Sequence, residues 1–152
     1  HERTGIAGIG SCKQQLARAR RLAQQQGLGD DALLQARLAQ FEVELMALEF
    51  TALRLLSAHQ QSRMPAVEAS MLKVRGTELR QAIYEALVDI AGPDAVPFSQ
   101  EAQFLEQLDQ AAVDDTLVAL AANYLDARKV TIYGGTNEVQ RNLIGRAALA
   151  AF

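Results

Sequence analysis

The sequence predicts an all-α domain, an up-and-down bundle of four main helices plus a short one. Three observations carry this. Leu and Ala dominate an apolar set that makes up 49% of the chain, whereas aromatics amount to 5%, a balance that favours helix over sheet. Apolar residues recur at three- and four-residue spacing in several long stretches. The breaks between those stretches, among them Gly27-Leu28-Gly29 and Gly92-Pro93, are short enough for consecutive helices to pack as antiparallel neighbours.

The first helix is expected over about residues 4–26, where Ile6, Ile9, Leu16, Ala19 and Leu22 share a face. Gly5, Gly8 and Gly10 loosen its start; they do not form Gly-x-Gly-x-x-Gly and follow no strand, so they read as close packing rather than a nucleotide loop. Its face with Lys13, Arg18, Arg20 and Arg21 is basic, as solvated faces commonly are, although a phosphate could lie beside it. Gly27 ends this helix, and Asp30 or Asp31 can cap the second.

In the second helix Leu34, Leu38, Phe41, Leu45, Leu48, Ala52 and Leu55 keep a 4-3 alternation. Leu33, Val43, Met46, Phe50, Leu53 and Leu56 widen the stripe beyond a coiled-coil seam, which predicts cover on more than one side and suits a subunit interface. Near its end, His59 has no acid or nucleophile placed beside it and reads as a helix-terminal residue. Pro65 marks the first turn of the third helix, which directs Val67, Met71, Leu72, Leu79, Ile83, Leu87 and Ile90 inward and stops at Gly92-Pro93. Gly76 interrupts it, allowing either a kink or close approach. A loop with Pro97 leads to a short helix over about residues 100–108. Another follows over about residues 114–127, with Leu117, Leu120, Ala121, Tyr124 and Leu125 on one face.

At 152 residues the chain suffices for one domain, residues 1–152, burying roughly 70% of its unfolded surface. With 22% charged residues and a net charge of −3, nothing in the balance asks for nucleic acid or a membrane surface as partner. No apolar run approaches the roughly 20 residues that span a bilayer, and no export signal is visible. Cys12 stands alone, and with His1 and His59 it builds neither a disulfide nor a metal site, so a cytoplasmic protein without metal is expected. The start at His1 rather than Met predicts a fragment of a longer protein.

The stretch with the clearest functional grammar is Arg128 to Arg146. Gly134 and Gly135 let the backbone take φ > 0 and approach a ligand closely, and Thr136 can cap the helix that Asn137 begins. Such a turn presents free N–H groups at the positive end of a helix dipole, which suits an anionic or electron-rich ligand. A plain turn between two bundle helices would carry the same residues, and the pattern alone does not choose.

Ile132-Tyr133-Gly134-Gly135-Thr136-Asn137-Glu138-Val139-Gln140-Arg141 resembles the C-terminal signature of the acyl-CoA dehydrogenases, Ile-Tyr-Glu-Gly-Thr-x-Glu-Ile-Gln-Arg. Many members carry their catalytic glutamate just before the Gly-Thr pair, where this chain has Gly134. The opening Glu2-Arg3-Thr4-Gly5-Ile6-Ala7 is similar to the Glu-Arg-x-x-x-Ala segment of branched-chain and long-chain members, which use that upstream glutamate instead. The resemblance thus implies the family's C-terminal helical-domain fold, part of a larger FAD-dependent flavoprotein of fatty acid metabolism. It implies α,β-dehydrogenation of an acyl-CoA thioester with Glu2 as the base.

It further implies that Arg3 contacts the acyl-CoA, that Gly135 lines the thioester end, and that Thr136, Asn137 and Glu138 touch the FAD. An electron-transfer flavoprotein is the implied acceptor and a homo- or hetero-oligomer the implied assembly; the fragment alone is expected to be inactive. Two segments depart from the family. An Arg-x-x-Phe-Gly segment is replaced by Gln24-Gln25-Gln26-Gly27-Leu28-Gly29, and a Gly-Gly-x-Gly segment by Ala91-Gly92-Pro93-Asp94-Ala95. Arg20 or Arg21 could replace the lost charge, or a partner subunit could complete the site. The alternative function is a non-catalytic assembly subunit or helical interaction module derived from the same family.

Overall fold

A computed structural model describes residues 8–60, 66–95 and 117–150. Among them five α-helices follow in order: α1 Ile9–Gln25, α2 Ala32–Gln60, α3 Ala66–Ala91, α4 Leu120–Asp126 and α5 Asn137–Leu149. No strand occurs among the described residues. The expected helix over residues 100–108 lies outside them, as do Pro65 and the first residues of the predicted opening helix. The last predicted helix is shorter than expected: 3-10 turns, Leu117–Ala119 and Ala127–Thr131, flank α4 on both sides.

The helix ends follow their local chemistry. Gly27 takes φ 72 after α1, and the Leu28 N–H reaches the Ala23 carbonyl at 2.8 Å while the Gly27 N–H reaches that of Gln24 at 3.1 Å. This pair of bonds satisfies carbonyls that the helix leaves open. Asp31 caps α2, its carboxylate accepting the Leu34 N–H at 2.8 Å. Gly92, at φ 59, ends α3 where the sequence predicted. Gly76 does not interrupt α3; the helix runs through it and buries it.

Ion pairs fix the directions. Lys13 meets Glu49 at 2.6 Å and Arg20 meets Glu42 at 2.6 Å, so α1 and α2 run antiparallel. Arg37 meets Asp89 at 2.6 Å and Arg75 meets Glu44 at 3.1 Å, which sets α2 antiparallel to α3. Each pair is exposed and contributes between 0 and about 1 kcal/mol, so their value is register rather than stability. They also consume Lys13 and Arg20 of the basic face.

The core between these helices holds Leu16, Leu22, Leu38, Phe41, Leu45, Leu48, Leu55, Leu72, Leu79, Ile83, Leu87 and Leu120, and α3 touches every other helix. The inner stripe of α2 is thus buried or nearly so along its length. Its outer apolar residues are not covered by the described residues: Val43, Met46, Phe50, Leu53 and Leu56 are all more than half exposed. Met71 and Leu125, expected inward, also face out. Leu72 takes the core position beside Met71, because adjacent helical residues point about 100° apart. No described helix is long and apolar enough to cross a membrane.

Cys12 is 1% exposed between α1 and α3. Burial pushes its thiol up to about 11, against a smaller opposing pull from Arg80. The thiolate is the reactive form. Iodoacetamide at pH 8 is therefore expected to leave Cys12 intact in the native protein and to modify it only after denaturation, as mass spectrometry would show.

Candidate functional site

The turn between Thr131 and Asn137 is built from its two ends. On its C-terminal side Thr136 adopts φ −58, ψ 154, and its Oγ1 accepts the Val139 N–H at 3.3 Å, capping α5 as expected. Gly134 and Gly135 take φ 68 and 86. Both values are strained for residues with a Cβ, so a glutamate at position 134 would have to overcome that strain.

A Cβ added to Gly135 would lie 2.4 Å from Gln140 Nε2. The Gln140 side chain is buried, and its Oε1 has no hydrogen-bond partner among the described residues. The space that a Cβ would take at Gly135 is therefore filled by a buried amide. Replacing Gly135 by Ala is expected to cost about 1 to 2 kcal/mol, chiefly from the left-handed backbone since Gln140 can swing aside. Urea melts would measure it.

Glu138 stands in the first turn of α5. Its carboxylate is held below the usual carboxylate range, first by its own backbone N–H, then by the Thr136 hydroxyl, and more weakly by the charges of Arg141 and Lys73. An anion at a helix N-terminus is favoured by the dipole and the open N–H groups, so Glu138 occupies part of the field that a ligand would use.

Beneath the turn lies a polar stripe on α3. Lys73, Thr77 and Gln81 follow at intervals of four and so share one face. The Lys73 Nζ, in a residue 1% exposed, donates to the Asn137 Oδ1 at 2.7 Å and to the Thr131 carbonyl at 3.1 Å. The Asn137 Nδ2 donates to the Thr77 Oγ1 at 3.1 Å, and that hydroxyl donates to the Lys73 carbonyl at 2.8 Å. Gln81 Nε2 donates to the carbonyls of Ala127 and Arg128 at 3.0 and 3.3 Å. Burial holds the Lys73 ammonium below the ordinary lysine range, partly offset by the Glu138 charge.

These bonds show that the chain descends α3 from Gln81 to Lys73 through α4 and its 3-10 turn, reverses at the glycines, and returns as α5. Arg141 pairs with Glu78 one turn along. The sequence reading missed this stripe. Three polar residues four apart do not stand out in a helix that also carries Glu68, Arg75, Glu78, Arg80, Glu85 and Asp89, and their partners lie 46 to 64 residues away in the chain.

Of the residues that the resemblance implied, the structure places Gly135, Thr136, Asn137 and Glu138 together on this turn. Asn137 turns its side chain inward onto Lys73 and Thr77, whereas Glu138 is exposed. Glu2 and Arg3 lie outside the described residues.

A family model described as acyl-CoA dehydrogenase, C-terminal domain, matches residues 1–149. No curated protein matches the sequence. Among solved structures, the steroid ACAD Tcur3481-Tcur3483 aligns with a TM-score of 0.76 at 21% identity, covering 99% of this chain and 37% of that one. The electron transferring flavoprotein of Acidaminococcus fermentans gives 0.73 at 18% identity, with 97% and 36% covered. PigA with FAD and proline gives 0.61 at 17% identity, with 97% and 34% covered. The chain thus spans just over a third of the length of these structures, and the likeness to them is one of fold.

Proposed function

We propose, from the premise that the chain belongs to the acyl-CoA dehydrogenase family as its C-terminal domain, that it serves the α,β-dehydrogenation of an acyl-CoA thioester. The carrying observation is the turn itself: two exposed glycines at positive φ leading into a capped helix N-terminus, in the segment that resembles the family's signature.

The residues present fit an FAD. Thr136, Asn137 and Glu138 would hold the cofactor through the helix N-terminus, Asn137 with its backbone because its side chain is committed to Lys73, while Gly135 offers its exposed backbone. FAD, when bound, supplies the hydride acceptor. Glu2 takes the α-proton of the thioester on its carboxylate, and Arg3 holds the acyl-CoA. What supports Glu2 in this role is its place in the Glu-Arg-x-x-x-Ala segment, which is similar to the one that holds the base in family members without an acid before Gly-Thr. Gly134 has no side chain to offer as an alternative base.

The outer face of α2 supports assembly, with an electron-transfer flavoprotein as acceptor of the electrons. Val43, Met46, Phe50 and Leu53 follow at three- and four-residue spacing and are exposed, the pattern of a helix seam that a partner covers. Changing both Phe50 and Leu53 to Glu is expected to shift the full-length protein to a smaller species in sedimentation velocity.

The test of the function is the full-length polypeptide purified and examined for flavin absorbance, then titrated anaerobically with an acyl-CoA panel. A yellow protein bleached by at least one acyl-CoA is expected. A protein that stays colourless after reconstitution with FAD would overturn the proposal in favour of an assembly role.

A further inference from the structure

We infer that Lys73 is the positioning residue of the glycine turn. Its ammonium holds the two points from which the turn springs, the Thr131 carbonyl at 3.1 Å and the Asn137 Oδ1 at 2.7 Å, so that residues 132–136 have both ends fixed to one cation on α3. An exposed turn between two helices would otherwise be free to rearrange, since Ile132, Tyr133, Gly134 and Gly135 are all exposed and two of the four are glycine.

The chemistry of the two ends makes the arrangement specific. An ammonium accepts nothing, so Asn137 must present its oxygen to Lys73 and its Nδ2 to Thr77, which fixes the amide in one orientation. That orientation fixes the first residue of α5 and, with it, the direction in which the Thr136, Asn137 and Glu138 N–H groups point. A neutral apolar residue at position 73 would fill the same space but hold neither end.

The cation has a second consequence. Lys73 lies almost wholly out of solvent at the positive end of α5, and the carboxylate whose field it feels is the exposed Glu138. Among the described residues no carboxylate touches this buried positive charge, which lies beneath the turn and adds to the helix dipole in favouring an electron-rich ligand. The ligand half of this inference rests on the flavin reading above; the positioning half does not.

Hydrogen–deuterium exchange on the full-length polypeptide tests it, comparing wild type with Lys73→Met. The hydrogen-bonded amides of Ile132, Tyr133, Val139 and Gln140 are expected to exchange at least about tenfold faster in the variant, while those of α1 and of α2 up to Leu48 stay within about twofold. FAD added to the apoprotein and followed by fluorescence is expected to bind about tenfold or more weakly, and Lys73→Arg, which keeps cation and donors, is expected to recover part of both losses. Unchanged exchange at the turn, or a rise equal across the bundle, would reduce Lys73 to a core residue and overturn the inference. Should the Met variant fail to fold, Lys73→Gln carries the same comparison with the same two outcomes. Wild-type protein that binds no FAD defeats the flavin reading, and the exchange comparison then still decides on Lys73.

Discussion

In the full-length protein, Glu2→Gln is expected to slow acyl-CoA-dependent flavin reduction by 10² to 10⁴, about 3 to 5 kcal/mol in the barrier. Glutamine keeps the size and hydrogen bonding of the side chain but cannot take a proton from carbon. Flavin content and acyl-CoA affinity should change by no more than a few-fold, because the substitution removes a group needed in the transition state rather than one that only binds ground-state substrate. Stopped-flow absorbance at the flavin band, with affinity measured separately, distinguishes the two effects. A variant that reduces flavin within about threefold of wild type would move the base elsewhere. Gly134 cannot be that base, and a glutamate placed there would meet a backbone at φ 68. The proposed reading accordingly takes the proton with Glu2, far in sequence from the turn.

The parts of this fold legible in the sequence are those that one helix or one turn decides alone. The inner stripe of α2, Leu38, Phe41, Leu45, Leu48 and Leu55, is buried as its spacing required. Thr136 caps α5, and the two glycines adopt the positive φ that only residues without a Cβ take freely. What the sequence did not disclose depends on pairing at long range. Lys73 sits between Leu72 and Val74 and gives no local sign that its head group will be buried against Asn137, 64 residues on. Met71 and Leu125 read as core, yet Leu72 fills the core position next to the first. The second lies where α4, after seven residues, tightens into a 3-10 turn and Arg128 stacks over Tyr124 at 4.3 Å.

Asn137→Leu should be the most destabilising substitution on the described turn, by about 3 kcal/mol in urea melts. The leucine fits the volume but removes one acceptor of a buried ammonium and the donor to Thr77, and hydrogen bonds to charged groups each contribute about 1.5 to 3 kcal/mol. Lys73→Met should cost somewhat less, since it removes the charge and leaves a neutral amide oxygen unpaired. The informative variant is the two together. Removing both partners of a buried polar pair leaves neither stranded, so the double substitution should cost less than the sum of the single ones by about 1 to 3 kcal/mol. Costs that add within about 0.5 kcal/mol would mean that Lys73 and Asn137 are stabilised independently. The coupling bears on function because the double variant strands neither partner: it should be about as stable as Asn137→Leu alone, while its turn, no longer pinned to α3, exchanges as fast as in Lys73→Met. A weaker FAD site shared by Lys73→Met and the double variant would then follow the lost anchor rather than a buried group left unpaired.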